Sequence, residues 1–423
     1  MQVPGGRPGP ANFPDRGCVE SAVRPPRSSR ARPLVRWFTA LCVLILSAGV
    51  SAQGTPKKYQ TLYRDLDAQL AALDLRVPAA PSGKLPIRAA TLLSANCHRG
   101  EILLESGARE ATLRELDALK NLGAEGIVLQ ICYPLLTPAF RDPQPYLDYY
   151  VNLANEVRTR KLRLLVEHGT LQAAFASVDV RPYYVKLNKP RFWRERYAEL
   201  KTILVALQPD YVTLVSEPGP QSAGLKLSVK DWRSYVAKSL DALGQDLGSF
   251  PTLLGAGCGV WDDFAYVQAF AGIQRLHYID LHLYPLVAAG EKSFERLLEW
   301  PDRIRAIDAG KLIVLSEFWL YKLGTDEKFK GTLDPNVVAR DPFSFWAPLD
   351  QKLLRIVGRA VRSKNFELAA PFWSRYFFAY LDYSDPLTYR LNARQLLDLA
   401  GQRAYEAILN NRVTETGVAF RSM

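Results

Sequence analysis

Cysteine is scarce in this chain of 423 residues: five are present, and two of them, Cys18 and Cys42, fall within the first 52 positions. Cys97, Cys132 and Cys258 remain, with no metal-binding spacing among them. Their odd number leaves at least one unpaired within the chain. Cys97 and Cys132 stand at the ends of neighbouring predicted strands, where a bridge and small buried thiols both suit the pattern. Dense basic patches are also missing. The net charge of +11 includes a surplus of five from residues 1–52, which hold seven Arg against Asp15 and Glu20. The mild remainder gives no footprint for nucleic acid. Beyond residue 52 there is no internal repeat and no low-complexity segment, and no His-x-His pair suggests a metal-dependent barrel.

Long apolar runs are lacking too. Arg30, Arg32 and Arg36 precede the short run Trp37–Leu46, and Val50-Ser51-Ala52 offers small residues before Gln53. That is the order of a secretory signal peptide, and the run falls short of the ~18 residues a membrane span needs. The expectation is cleavage after residue 52, export to a secreted or periplasmic location, and no stable membrane span afterwards. Residues 53–85 read as an N-terminal helix (Leu62, Leu66, Leu70, Leu73) and a Pro/Gly-containing linker. Residues 86–423 form the remaining domain, expected to be monomeric.

What is present in that domain is alternation. Apolar strand-like runs are predicted at Ala89–Ala95, Gly126–Cys132, Arg163–Glu167, Tyr211–Ser216, Thr252–Ala256, Tyr278–Tyr284, Leu312–Ser316 and Glu367–Trp373. Helical periods lie between them, punctuated by Gly123, Gly244 and Gly310 and by a Ser228-x-x-Asp231 capping box. Eight strand–helix pairs over about 340 residues predict an α/β fold, the (β/α)8 TIM barrel. A doubly wound open sheet usually carries a Gly-rich phosphate turn after its first strand, and Ser94–Gly100 has no such fingerprint. The longest insertion, Phe318 to Pro348, is expected to wall the binding site.

In such a barrel, polar residues at the C-terminal strand tips converge on one mouth. The sharpest tips are Val215-Ser216-Glu217-Pro218 and Leu315-Ser316-Glu317-Phe318: two carboxylates closing two apolar strands, three βα units apart. Hydrolysis of a glycoside needs two carboxyl groups flanking the bond, one protonated and one ionised. Around them stand Arg99 on strand one, His168 on strand three, Trp261 with Asp262 and Asp263 on strand five, His282 and Tyr284 on strand six, and Trp319 and Trp373 on strands seven and eight. Glu167, also at a tip, either pairs with Arg99 or His168 or touches substrate.

This constellation resembles the clan A glycoside hydrolases, the retaining barrels that include cellulases, mannanases and galactanases. The resemblance implies Glu217 as acid/base and Glu317 as nucleophile. It also implies that Tyr284 of Leu281-His282-Leu283-Tyr284 bonds the nucleophile and that His282 and His168 support the site. Trp373 would form an aromatic floor, with Trp261 and Trp319 as further sugar platforms. It implies a carbohydrate substrate and no cofactor or metal. Two positions depart from the clan pattern. Ser216 stands where Asn usually precedes the acid/base, and strand two offers Gln130 with no Arg, leaving Arg99 as the nearby substitute. The rival reading is a carbohydrate-binding barrel that has lost turnover. A metal-dependent hydrolase built on His98, His168 and His282 ranks last.

Overall fold

The structure, a computed structural model, describes residues 54–284, 292–324, 327 and 335–423. The leader and its cleavage site lie outside the described residues, as does part of the long insertion.

The chain opens with helix α1 (Gln60–Arg76), whose Leu66, Leu70 and Leu73 are buried. The elements then alternate: β1 (Ile87–Thr91), α2 (Ala108–Asn121), β2 (Gly126–Tyr133), α3 (Gln144–Thr159), β3 (Arg163–Thr170), the short α4 (Arg181–Tyr184) and α5 (Lys189–Leu207). They continue with β4 (Tyr211–Thr213), α6 (Val229–Leu247), β5 (Leu253–Gly259), α7 (Phe264–Ala271), β6 (Tyr278–Leu283), α8 (Lys292–Ile307) and β7 (Leu312–Phe318). After the short α9 (Pro335–Val338) come α10 (Ala347–Ser363), β8 (Leu368–Pro371), α11 (Ala393–Leu409) and α12 (Glu415–Arg421). The eight strands are all parallel and close into a barrel in sequence order, β8 pairing back onto β1. The predicted TIM barrel is the observed fold.

Local chemistry sets the helix ends. Ser228 and Asp231 cap α6 reciprocally as the sequence implied, and Asn392 with Gln395 does the same for α11. Gly244 is a correction: α6 runs through it to Leu247, and Gly248 at φ +66° ends the helix. α1 docks on α10, with Lys352 donating to Asp67 at 2.6 Å.

The barrel interior is a separate apolar layer of Ala89, Val128, Leu165, Tyr211, Tyr278, Val314, Leu368 and Ala370. Because strand side chains alternate, the next inward positions toward the C-terminal ends are Thr91, Gln130, Glu167, Thr213, Asp280 and Ser316. A polar layer therefore sits directly on the apolar plug. β5 contributes no bulk there: a Cβ on Gly255 would meet the Tyr278 ring at 2.1 Å, and one on Gly257 the Asp280 carbonyl at 1.6 Å. Only glycine lets β6 fill that side.

The ladder between β6 and β7 slips once, Leu281 facing Leu315 but His282 facing Glu317. This irregularity re-aims the chain end, as a bulge does. Ser316 and Glu317, consecutive residues that a regular strand would point to opposite faces, both reach groups lining the interior.

Candidate active site

Glu317 lies at that irregularity, with 6% of its side chain exposed. Tyr284, at the end of β6, donates its hydroxyl to Oε2 at 2.7 Å. Gln130 on β2 donates its amide to Oε1. The same Gln130 nitrogen also donates to Glu167 Oε2 at 3.1 Å.

Glu217 follows β4 in the stretch that leaves the ladder, with 16% of its side chain exposed. His282 joins the two glutamates: its Nδ1 is 3.1 Å from Glu217 Oε1 and 3.4 Å from Glu317 Oε2. Its Nε2 faces Ser316 Oγ at 3.0 Å and Glu167 Oε1 at 3.4 Å. Asp280 below accepts from Thr213 at 2.7 Å and from the Ser316 hydroxyl at 2.7 and 2.8 Å.

One imidazole thus sits among four buried or half-buried carboxyl groups. Burial alone would push its pKa down, but the charges of Glu317 and Glu167 and bonds to Glu167 and Glu217 outweigh this and hold it well above its usual value. These contacts favour the imidazolium form of His282. Glu167 is pushed up by burial, yet that cation and the Ser316 and Gln130 hydrogen bonds bring it below the usual carboxylate range. Glu317 is held well above that range, by burial first and then by Glu167 and Glu217, with His282 and Tyr284 acting against the rise. The donor geometry favours its anion: a Gln130 amide and the His282 imidazolium can only donate, and Tyr284 donates as well. Asp262, beside Glu217, is pushed up to about 7 by burial and then by the Glu217 charge.

An aromatic wall flanks the pair. Tyr321 stacks on Tyr284 at 4.4 Å, Trp261 lies 5.9 Å from Tyr284, and Phe372 meets it edge-on at 6.3 Å. A cleft of about 560 Å³ opens beyond Trp261, with Asp262, Phe264, Arg296 and Trp300 in its lining. The two glutamates do not line it, so the chemistry belongs to the barrel mouth.

Not every candidate named from the sequence faces this mouth. His168 is fully buried on the outer face of β3, where its Nε2 is 3.2 Å from Glu199 of α5. Glu167 points inward, so its immediate neighbour in a regular strand must point outward. Trp319 is completely buried against Tyr376 and Phe377 and offers no platform. Trp373 packs with Phe372, Tyr376 and the Arg375 guanidinium, while Phe372 is the ring that reaches Tyr284. Arg99 is exposed on the loop after β1, and Gln130 takes the place beside Glu317. Ser216 is buried and its hydroxyl accepts from Gln221 at 2.9 Å. Asp263 caps α7 through Ala265 N–H. The structure brings together Glu217, Glu317, His282, Tyr284 and Trp261, and adds Gln130, Glu167, Asp280, Ser316 and Tyr321. The signal for Gln130 was a lone amide at an inward position of an otherwise apolar β2.

The same atoms include potential metal ligands. Glu167, His282 and Glu317 bring one ligand atom each within 4.8 Å of one another. The Gln130 amide donates to both carboxylates, an arrangement that serves them with proton donors. His98, His168 and His282 do not converge, each facing different partners.

No family model matches the chain, and no curated protein matches it in sequence. Solved structures do resemble it. An endo-1,4-β-mannanase from Rhizomucor miehei is 12% identical, covering 77% of this chain and 99% of that one, with a TM-score of 0.47. A β-glucosidase from Thermotoga maritima is 11% identical, covering 79% and 99%, with a TM-score of 0.45. An endo-1,4-β-D-mannanase from Thermotoga petrophila is 10% identical, covering 76% and 99%, with a TM-score of 0.42. These neighbours are clan A glycoside hydrolases. The barrel is read from this chain's own strand pairing, and likeness at these identities and TM-scores adds no role to it.

Proposed function

We propose that the chain is a retaining glycoside hydrolase that cleaves O-glycosidic bonds of an oligosaccharide or polysaccharide. One observation carries the reading. Glu217 Oε1 and Glu317 Oε2 both reach His282 Nδ1, at 3.1 and 3.4 Å, so they can be no more than about 6.5 Å apart. Retaining pairs stand about 5–5.5 Å apart, and wider separations leave room for the water of inversion.

In this reading Glu317 attacks the anomeric carbon while Glu217 gives its proton to the departing glycosidic oxygen. A glycosyl ester on Glu317 results. Glu217, now a carboxylate, takes a proton from water as that water displaces Glu317, and both groups return to their starting states. Tyr284 and Gln130 hold Glu317 as an anion, and Trp261 and Tyr321 offer ring faces to the sugar. The leader pattern and the Cys97–Cys132 bridge support an exported protein.

Ser216 favours a second reading, a carbohydrate-binding barrel without turnover, because it is buried and so withheld from a sugar. Hydrolysis of a panel of polysaccharides and aryl glycosides by the protein from Gln53 onward, beside Glu317→Ala and Glu217→Ala, separates the two. The expected outcome is turnover with retained anomeric configuration by NMR, abolished by the first change. The second should reduce it least on aryl glycosides with good leaving groups. Binding without turnover across the panel would support the second reading.

A further inference from the structure

Gln130 is a neutral amide in direct contact with two carboxylates, and an amide can face them with either end. Turned one way it donates two N–H groups; turned the other, its oxygen faces negative charge. The surrounding bonds decide which.

The decision begins at two backbone amides, whose N–H groups can only donate. Gln172 N–H, in the loop after β3, donates to His98 Nε2 at 3.0 Å. That nitrogen is therefore unprotonated, and a neutral imidazole must carry its hydrogen on Nδ1. Burial keeps His98 neutral, with its pKa pushed down to about 4. Nδ1–H faces Asn96 Oδ1 at 3.0 Å. His98 N–H independently donates to the same Asn96 oxygen at 2.9 Å. With its oxygen fixed by two donors, Asn96 must turn its Nδ2 toward Gln130, where it meets Oε1. Gln130 is left with Nε2 toward Glu317 and Glu167. Both amide hydrogens have a carboxylate to serve.

We propose that Gln130 is the positioning residue for Glu317, and that Gln172 N–H, His98 and Asn96 form a hydrogen-bond chain of single polarity that fixes its amide direction. The chain delivers two oriented hydrogens to a site already holding four carboxyl groups without adding a charge. The Cys97–Cys132 bridge secures this chain at its middle, since Cys97 lies between Asn96 and His98 and Cys132 is two residues beyond Gln130. The inference rests on Glu317 being the nucleophile, but its physical content can be read without turnover.

Neutron diffraction from deuterated crystals of the protein would place the deuterium atoms directly. The expected result is deuterium on His98 Nδ1 and two deuteriums on Gln130 Nε2, one toward each carboxylate. Deuterium on His98 Nε2, or the Gln130 oxygen on the carboxylate side, overturns the chain. Carboxyl 13C titration then tests its consequence. Gln130→Met keeps the volume and removes both donors, so the Glu317 midpoint should rise by about one pH unit or more. Asn96→Leu, which frees the amide to turn, should raise it by less. An unchanged midpoint in Gln130→Met overturns the positioning role. If the variants fail to fold, the deuterium positions in the unaltered protein still decide. Where hydrolysis is measurable, the acid limb of kcat/KM should move upward with the midpoint, which a purely structural role would not produce. A protein that never hydrolyses a glycoside but shows these titrations would sink the proposed activity and leave the chain standing.

Discussion

The Tyr284 hydroxyl donates to Glu317 Oε2 across 2.7 Å, joining the tips of β6 and β7 at the point where their ladder slips by one residue. That bond ends on a donor that can be removed without disturbing the ring that carries it. Tyr284→Phe keeps the ring stacked on Tyr321 and deletes the donor alone. Turnover should fall by about tenfold to a hundredfold, somewhat less than the loss of a preorganised oxyanion donor. Donation to the charged form lowers a carboxyl pKa, so its loss moves the acid limb of the rate profile to higher pH. Steady-state kinetics from pH 4 to 8 check both, and an unshifted limb would count against a charged Glu317.

His282 is the one imidazolium amid Glu167, Glu217, Glu317 and Asp280, and its removal leaves their charge uncompensated. His282→Gln should destabilise the fold at neutral pH by about 3–5 kcal/mol, the usual consequence of breaking a buried ion pair from one side. The raised pKa of His282 means that its contribution is fully present below about 6.5 and is lost only as pH rises through the higher folded value. The gap between the two proteins should therefore be wider at pH 5 than at pH 7.5. Urea unfolding at pH 7.5 and pH 5 measures it. A constant gap would mean that packing, not charge, is what the histidine supplies.

All eight strands and the two converging glutamates were legible in the sequence, because apolar runs ending in carboxylates are local patterns. Side-chain direction was legible only in part. Glu167 and His168 are adjacent and both polar; simple alternation sends one inward and the other outward to Glu199, and that parity was available from Leu165. Ser316 and Glu317 break the same parity through a ladder slip that no residue type announces. Trp319 and Trp373 carry rings that suit a sugar platform and a core equally well, and only the tertiary packing around them, with Tyr376 beside both, decides between the two. Gln130 was visible as a departure from a family pattern, but its partners lie 34 to 187 residues away. Such pairings belong to the closed barrel and not to any stretch of chain.

The Cys97–Cys132 bridge closes a span of 35 residues between the loop after β1 and the end of β2. Replacing both cysteines by serine should cost about 3–4 kcal/mol through the entropy returned to the unfolded chain. Chemical denaturation of the double variant checks this figure. Equal midpoints for the bridged protein and the variant would show that the unfolded chain gains nothing from release of the bridge. Cys258 is buried and free, so it should resist thiol reagents until the protein unfolds.

Glu199 links stability to pH with an unusual sign. It is buried on the outer face of β3, accepting from Leu136 N–H at 2.9 Å and the Thr137 hydroxyl at 2.6 Å, and burial pushes its carboxyl up to about 8. An unfolded glutamate titrates near 4.3. Between those values the folded state holds a proton that the unfolded state has released, so stability falls as pH rises from about 4.5 to 8. The slope from one such group is at most about 1.4 kcal/mol per pH unit. Glu199→Gln retains a carbonyl oxygen for Leu136 and Thr137 but cannot titrate. Its stability should fall less steeply across this window, and its advantage over the unaltered protein should grow from pH 5 to pH 8. Thermal melts in a single buffer series measure the two slopes. Parallel curves would mean that Glu199 is ionised throughout, with its charge met by the neighbouring Arg196 and the donors around it.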